Sequence, residues 1–362
     1  MTIDKTQISA ALHRIIDPNT AKPITAGNGV RNVKIDGDTI SLEIVLGYPA
    51  KSQYALIETH VKQALRAILE IVNLHVAVSH KIEAHVVQGG MQLLPNVRNI
   101  VAVASGKGGV GKSTTAANLA IALTDEGASV GMLDADIYGP SQPTILGILG
   151  RPVSGDGKTM IPLEGHGIQT NSIGFLIEQN SPIMWRGPMA TSALEQLLQQ
   201  TKWRDLDYLI IDMPPGTGDI QLTLSKRVPL TGAVIVTTPQ NIALMDARRS
   251  LKMFEKVSVP ILGVVENMST YICSRCGHAE SIFGDGGGKR LCEQYGVPFL
   301  GSLPLDLNIR AHADAGYPTV VADPYGRISG LYRDIAQQVA IRIASLSRDM
   351  TSKFPTIVVQ TA

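Results

Sequence analysis

The sequence predicts an α/β chain in two parts: a small α+β module, then a larger domain with a mostly parallel sheet flanked by helices. Three observations carry this. Before residue 90, apolar residues recur at helical spacing and in short alternation. Beyond residue 97 they form unbroken strand-length runs separated by helical stretches, the pattern of a parallel sheet covered on both faces. The first of those runs stops at a glycine-rich segment.

In the first part, Ile8, Leu12, Ile15 and Ile16 place a helix over 6–16. Val33 and Ile35 face Ile40, Leu42 and Ile44 across Asp36-Gly37-Asp38, a hairpin pattern. Leu56, Val61, Leu65, Ile68, Leu69 and Val72 restore helical spacing over 53–73, and a strand is expected at 82–87. These boundaries assign the module to residues 1–88, a linker to 89–97, the larger domain to 98–348 and a tail to 349–362. In the larger domain, strands are expected near 100–104, 129–133, 208–211, 233–237 and 261–265. Helices are expected near 113–126, 242–256 and 328–346.

Composition narrows the function classes. Lys plus Arg number 32 against 31 Asp plus Glu, so there is no dominant basic field for nucleic acid. Three cysteines in 362 residues exclude a disulfide-stapled secreted fold. No run reaches the ~18 apolar residues of a membrane span, and no basic-then-apolar leader opens the sequence. A cytoplasmic protein with neither membrane nor nucleic acid as partner is expected.

The strongest signal is Gly106-Lys107-Gly108-Gly109-Val110-Gly111-Lys112-Ser113-Thr114, a G-x-x-x-x-G-K-[ST] string between a strand and a helix. Such a P-loop turns its backbone N–H groups toward phosphate oxygens, and the helix start adds its positive end. Lys112 supplies charge to the β- and γ-phosphates, and the Ser113 hydroxyl can ligate Mg2+. Tyr208–Asp212 is an apolar strand ending in a carboxylate, so Asp212 is placed to hold Mg2+ or its water. Pro214-Pro215-Gly216-Thr217-Gly218-Asp219 then forms a loop suited to sensing a γ-phosphate, and Asp134 and Asp136 close another strand.

Cys273-Ser274-Arg275-Cys276 is a C-x-x-C late in the domain. It supplies two soft ligands where zinc or an iron–sulfur cluster usually takes four. A second chain could bring its own pair, His278 and Cys292 could complete a Cys3His zinc site, or the pair could form a redox disulfide. Spacing alone leaves zinc and iron–sulfur comparable. Cys292 by itself reads as a buried structural thiol.

Lys107, a second lysine at the start of the loop, resembles the deviant Walker A of the MinD, ParA and nitrogenase iron-protein group. That resemblance implies that Lys107 reaches the other subunit's nucleotide in a homodimer. It also implies that Asp136 positions the attacking water, that Asp134 sits nearer Mg2+, and that Asn267 contacts adenine, making ATP the nucleotide. Over 96–345, the strings SGKGGVGKST, LDADIYGPS, IIDMPPGTGD, TTPQ and ENMS with the C-x-x-C resemble the Mrp/ApbC iron–sulfur cluster carriers. What this implies is an ATPase whose labile [4Fe-4S] cluster lies between Cys273 and Cys276 of two subunits and passes to apo iron–sulfur proteins with assembly factors. The first module resembles the small iron–sulfur assembly domain fused to many such proteins. It contains no cysteine, so docking or regulation is expected of it.

The competing reading is a MinD/ParA-type positioning ATPase with structural zinc. Pro355 and the β-branched residues around it disfavour a membrane-binding helix at the tail. A nitrogenase-type electron donor would space its cysteines apart. The apolar and basic Met184–Met189 segment is expected to be a partner surface or a lid.

Overall fold

The computed structural model describes residues 5–68, 73–89, 91–177, 187–273 and 275–348. The chain divides into two compact units, one of Met1–Ile82 with Asp125–Ala128, the other of Glu83–Thr124 with Ser129–Ala362.

The first unit runs α1 (Lys5–His13), β1 (Val30–Asp36), β2 (Thr39–Leu46), α2 (Tyr54–Ile68) and β3 (Asn73–His80). β1 and β2 pair antiparallel, with Asp36 opposite Thr39 and Gly37 at a φ of 56° in the turn. β3 returns parallel to β2 after the α2 crossover. Ile8, Leu12, Ile40, Leu42, Ile44, Leu74 and Val76 are buried in its core.

Two expectations are corrected here. The buried stripe of α2 is Ile57, Val61 and Leu65, while Leu56 is 66% exposed. The third strand lies at 73–80, where Leu74, Val76 and Val78 alternate with His75, Ala77 and Ser79. Residues 82–87 contribute only an isolated bridge from His85 to Arg348, and His85 is buried with Nδ1 2.9 Å from Asn99 Oδ1. Period-two alternation, rather than a short apolar run, marks the strand.

The second unit opens with β4 (Val97–Ala104), α3 (Lys112–Asp125), β5 (Val130–Asp134), α4 (Gln142–Ile145), β6 (Leu163–Gly165) and β7 (Ile168–Ser172). It continues through α5 (Gly187–Gln200), β8 (Leu206–Asp212), α6 (Asp219–Arg227), β9 (Gly232–Thr237), α7 (Asn241–Lys256) and β10 (Ile261–Glu266). It closes with β11 (Tyr271–Ile272), β12 (Ala279–Glu280), α8 (Gly287–Tyr295), β13 (Phe299–Ser302), α9 (Leu307–Asp314), α10 (Thr319–Ala322) and α11 (Arg327–Ala344).

Eight strands form one sheet in the order β13-β10-β9-β4-β8-β5-β7-β6. All neighbours are parallel except the edge pair β6–β7. Leu209, Ile210 and Ile211 of β8 and Ala233–Val236 of β9 are at most 1% exposed, as strands covered on both faces must be. Chain order reverses beside β4, whose neighbours are β8 and β9, and a ligand crevice is expected beyond the carboxyl ends of such strands. The tail 349–362 and residues 184–186 of the Met184–Met189 segment lie outside the described residues; Gly187–Met189 begin α5.

Candidate functional site

The glycine-rich loop joins β4 to α3 at the centre of the sheet. Two of its glycines are demanded by neighbours. Gly111 has a φ of 82°, and a Cβ there would overlap the Asn267 side-chain amide. A Cβ on Gly106 would overlap the main-chain carbonyl of Asp246 in α7. Ser105 Oγ donates to Lys107 O at 2.9 Å, and Gly216 N donates to Ser105 O at 2.9 Å, tying the loop to the segment after β8. Asn267, which directly follows β10, donates from Nδ2 to Val110 O at 2.9 Å. Lys107 is half-buried, and Gly108 and Gly109 are exposed.

Beneath the loop, Lys112 and three carboxylates converge from β5, β8 and the turn after β5. The Lys112 ammonium contacts Asp212 Oδ1, lies 3.8 Å from Asp136 Oδ2 and 3.2 Å from Ser113 Oγ. Asp134 is fully buried and accepts from Ser141 N and Gln142 N at 3.1 Å, Ser172 Oγ at 2.9 Å and Asp136 N at 3.1 Å. Burial first, then the charge of Asp212, pushes the Asp134 carboxyl up to about 7. Burial also raises Asp136, with Lys112 opposing and Asp212 reinforcing the shift.

Gln142 escaped the sequence reading. It is fully buried at the start of α4, and its Nε2 donates to Asp212 Oδ2 at 2.8 Å and to Ser113 O at 3.0 Å. Its backbone N–H holds Asp134, so one residue touches the loop and two of the acids. The only signal in the sequence was its place directly after the string that holds Asp134 and Asp136 and ends at Ser141, and polar residues before a proline read as turn chemistry.

Cys273 and Cys276 stand on the turn between the short antiparallel strands β11 and β12. Cys273 is half-buried and Cys276 exposed. Cys273 N donates to His278 O and Gly277 N to Cys273 O, both at 2.9 Å, and Gly277 takes a φ of 72° to close the turn. N–H groups of Arg275 and Cys276 hold the Cys273 thiol below its ordinary range. Cys292, by contrast, is 3% exposed in the core on α8, with Sγ 3.4 Å from Pro298 O, and burial pushes it up to about 11. Among the described residues no group of three or more His, Cys, Asp or Glu is placed to hold a metal ion. Among them, also, no helix is long and apolar enough to cross a membrane.

Residues 96–340 match the family described as NUBPL iron-transfer P-loop NTPase, and residues 5–78 match that described as iron-sulfur cluster assembly protein. An iron-sulfur cluster carrier protein of Pseudomonas fragi is 59% identical over 72% of this chain and 92% of its own length. One from Escherichia coli K12 is 47% identical over 94% of this chain and 92% of its own. Among solved structures, a nucleotide-binding protein of Archaeoglobus fulgidus in complex with ADP superposes with a TM-score of 0.57. It is 35% identical and covers 65% of this chain and 91% of its own. A P-loop in its strand-and-helix setting, matched over two thirds of the sequence, places this chain in the family of iron-transfer P-loop NTPases described for NUBPL.

Proposed function

We propose that this chain is an ATP-dependent carrier of a labile [4Fe-4S] cluster. In this reading it binds and hydrolyses ATP at the P-loop and holds the cluster between Cys273 and Cys276 of two copies. It then passes the cluster to apo-proteins in the cytoplasm. The relatives named as cluster carriers support the cargo. The observation that carries the reading is the thiol turn: two cysteines on a short ribbon, one of them exposed, provide half of a cluster's ligands. Exposure and an incomplete ligand set on each chain suit a cargo that must leave.

At the nucleotide end, the backbone N–H groups of 106–114 cradle the phosphates and Asn267 contacts the adenine. Lys112 leaves Asp212 for the β- and γ-phosphates, Asp136 orients the attacking water, and Lys107 reaches the nucleotide of the second copy. The candidate ligands Ser113 Oγ and the Asp134 and Asp212 carboxylates fit Mg2+ because all are oxygen donors, and the buried Ser141 Oγ and Gln142 Oε1 have no hydrogen-bond partner among the described residues. Ser113, Asp134 and Asp212 would hold the ion, which supplies charge neutralisation to the phosphates.

Iron and sulfide analysis of protein purified and reconstituted without oxygen tests the cargo. A shared [4Fe-4S] cluster gives about two iron atoms per chain, and the Cys273→Ala/Cys276→Ala double variant should hold none. Equal iron in both proteins, or stoichiometric zinc in place of iron, would overturn the assignment.

A further inference from the structure

A cavity of about 430 Å3 is lined by Asp136, Tyr138, Pro214, Gly218, Asp219 and Gln221, among others. Gln221 is its unusual member. It sits in the first turn of α6 and is 2% exposed, yet neither Nε2 nor Oε1 has a hydrogen-bond partner among the described residues. Gln221 O is used, accepting from Ser225 Oγ at 2.8 Å, so the backbone is settled while the carboxamide is not. A buried carboxamide left unpaired on both atoms is costly, and an apolar side chain of the same length would avoid that cost. Asp136, which lines the same cavity, lies 3.8 Å from the Lys112 ammonium.

We infer that Gln221 is a second water-orienting residue for ATP hydrolysis, acting with Asp136 across this cavity. The inference rests on the proposed ATPase reading. A carboxamide offers an acceptor and a donor on adjacent atoms. Oε1 accepts from the attacking water while Nε2 donates to a γ-phosphate oxygen, which aligns nucleophile and phosphorus, a use of glutamine known among nucleotide hydrolases. The water oxygen bonds the γ-phosphorus and the bond to the β–γ bridging oxygen breaks. ADP leaves with that electron pair, and the water's proton passes by way of Asp136 to the released phosphate. Gln221 itself gains and loses no proton. Its placement in the element after the γ-phosphate-sensing loop lets it meet the phosphate only when that loop does.

The test is steady-state ATPase kinetics on the full-length protein, with Gln221→Leu beside wild type and nucleotide binding and thermal melting measured on both. Gln221→Leu should lower kcat at least about tenfold, keep KM and ADP affinity within about twofold, and leave Tm unchanged or higher. Gln221→Glu, which keeps the shape and the acceptor but loses the donor, should fall between the two. A merely structural glutamine predicts the opposite split: a lower Tm, with activity lost only in proportion to folded protein. Should the leucine variant fail to fold, Gln221→Met carries the same comparison. Wild-type kcat in a folded leucine or methionine variant would overturn the inference while leaving the ATPase reading intact. No ATP hydrolysis by wild type would overturn both.

Discussion

The ammonium of Lys112 touches the carboxylate of Asp212, although the two residues lie 100 positions apart, on the first turn of α3 and at the end of β8. Lys112 is 6% exposed and Asp212 fully buried. The P-loop lysine and the strand-end acid therefore satisfy one another in the nucleotide-free protein.

Removing one partner leaves a buried charge unpaired, which costs about 3–5 kcal/mol, whereas removing both charges costs much less. Lys112→Met should destabilise the nucleotide-free protein by that amount, and Lys112→Met/Asp212→Asn should recover most of the loss. Urea unfolding of the four-member cycle measures this. A double variant no more stable than Lys112→Met would show that the pair does not hold the site together.

The acid cluster makes stability pH-dependent. The Asp134 carboxyl, ordinarily at 3.8, stands at about 7 in the folded protein because it is buried beside Asp212. A raised carboxyl binds its proton more tightly when folded, so folding is favoured by protonation. This contribution is present below about pH 4 and declines as pH rises toward 7. Above about pH 7 it changes no further. Asp136 is raised too, chiefly by burial, and acts in the same direction despite Lys112. Nucleotide-free wild type should therefore lose stability across this window relative to Asp134→Asn, whose profile should be flatter. Parallel melting curves for the two proteins from pH 5 to pH 7.5 would refute the cluster's role.

The broad plan was legible because it follows from buried area and loop chemistry. Strands β4, β8, β9 and β10 are apolar runs that nothing but a covered sheet accommodates, and the phosphate loop needs its glycines in a fixed order. What escaped were choices made by tertiary packing. Leu56 and Ile57 are equally apolar, and only the direction of α2 against the sheet decides which is buried. β3 was hidden because His75 and Ser79 dilute the hydrophobic signal, while 82–87 looked stronger for lying next to it. Gln142 and Gln221 belong to no recognised spacing. Their importance lies in burial and in hydrogen bonds made or withheld, and neither property is written in one dimension.

The glycines of the phosphate loop should not be equivalent. An added Cβ on Gly106 would run into the backbone of α7, which cannot swing aside as a side chain can, whereas one on Gly108 meets open space. Gly106→Ala should cost about 1–3 kcal/mol or more through forced backbone shifts. Gly108→Ala should stay within about 0.5 kcal/mol of wild type. Thermal melting of both variants without nucleotide checks the contrast, and equal losses would mean that the loop, not its packing on Asp246, sets the requirement.

The three cysteines should separate by reactivity in cluster-free, reduced protein. Thiolate is the reactive form, so alkylation follows exposure and acidity together. Cys273 is held low by two backbone N–H groups, and Cys276 is exposed on the same turn. Cys292 is enclosed in the core and pushed up to about 11, so almost none of it is thiolate near neutrality. Brief iodoacetamide treatment at mildly alkaline pH should modify Cys273 and Cys276 and spare Cys292 until denaturant is added. Peptide mass mapping reads each site separately. The Cys292→Ala variant should correspondingly bind as much iron as wild type after reconstitution, because its thiol lies in the core. Rapid labelling of Cys292 in folded protein, or loss of iron in that variant, would put the third cysteine in the metal site instead of the core.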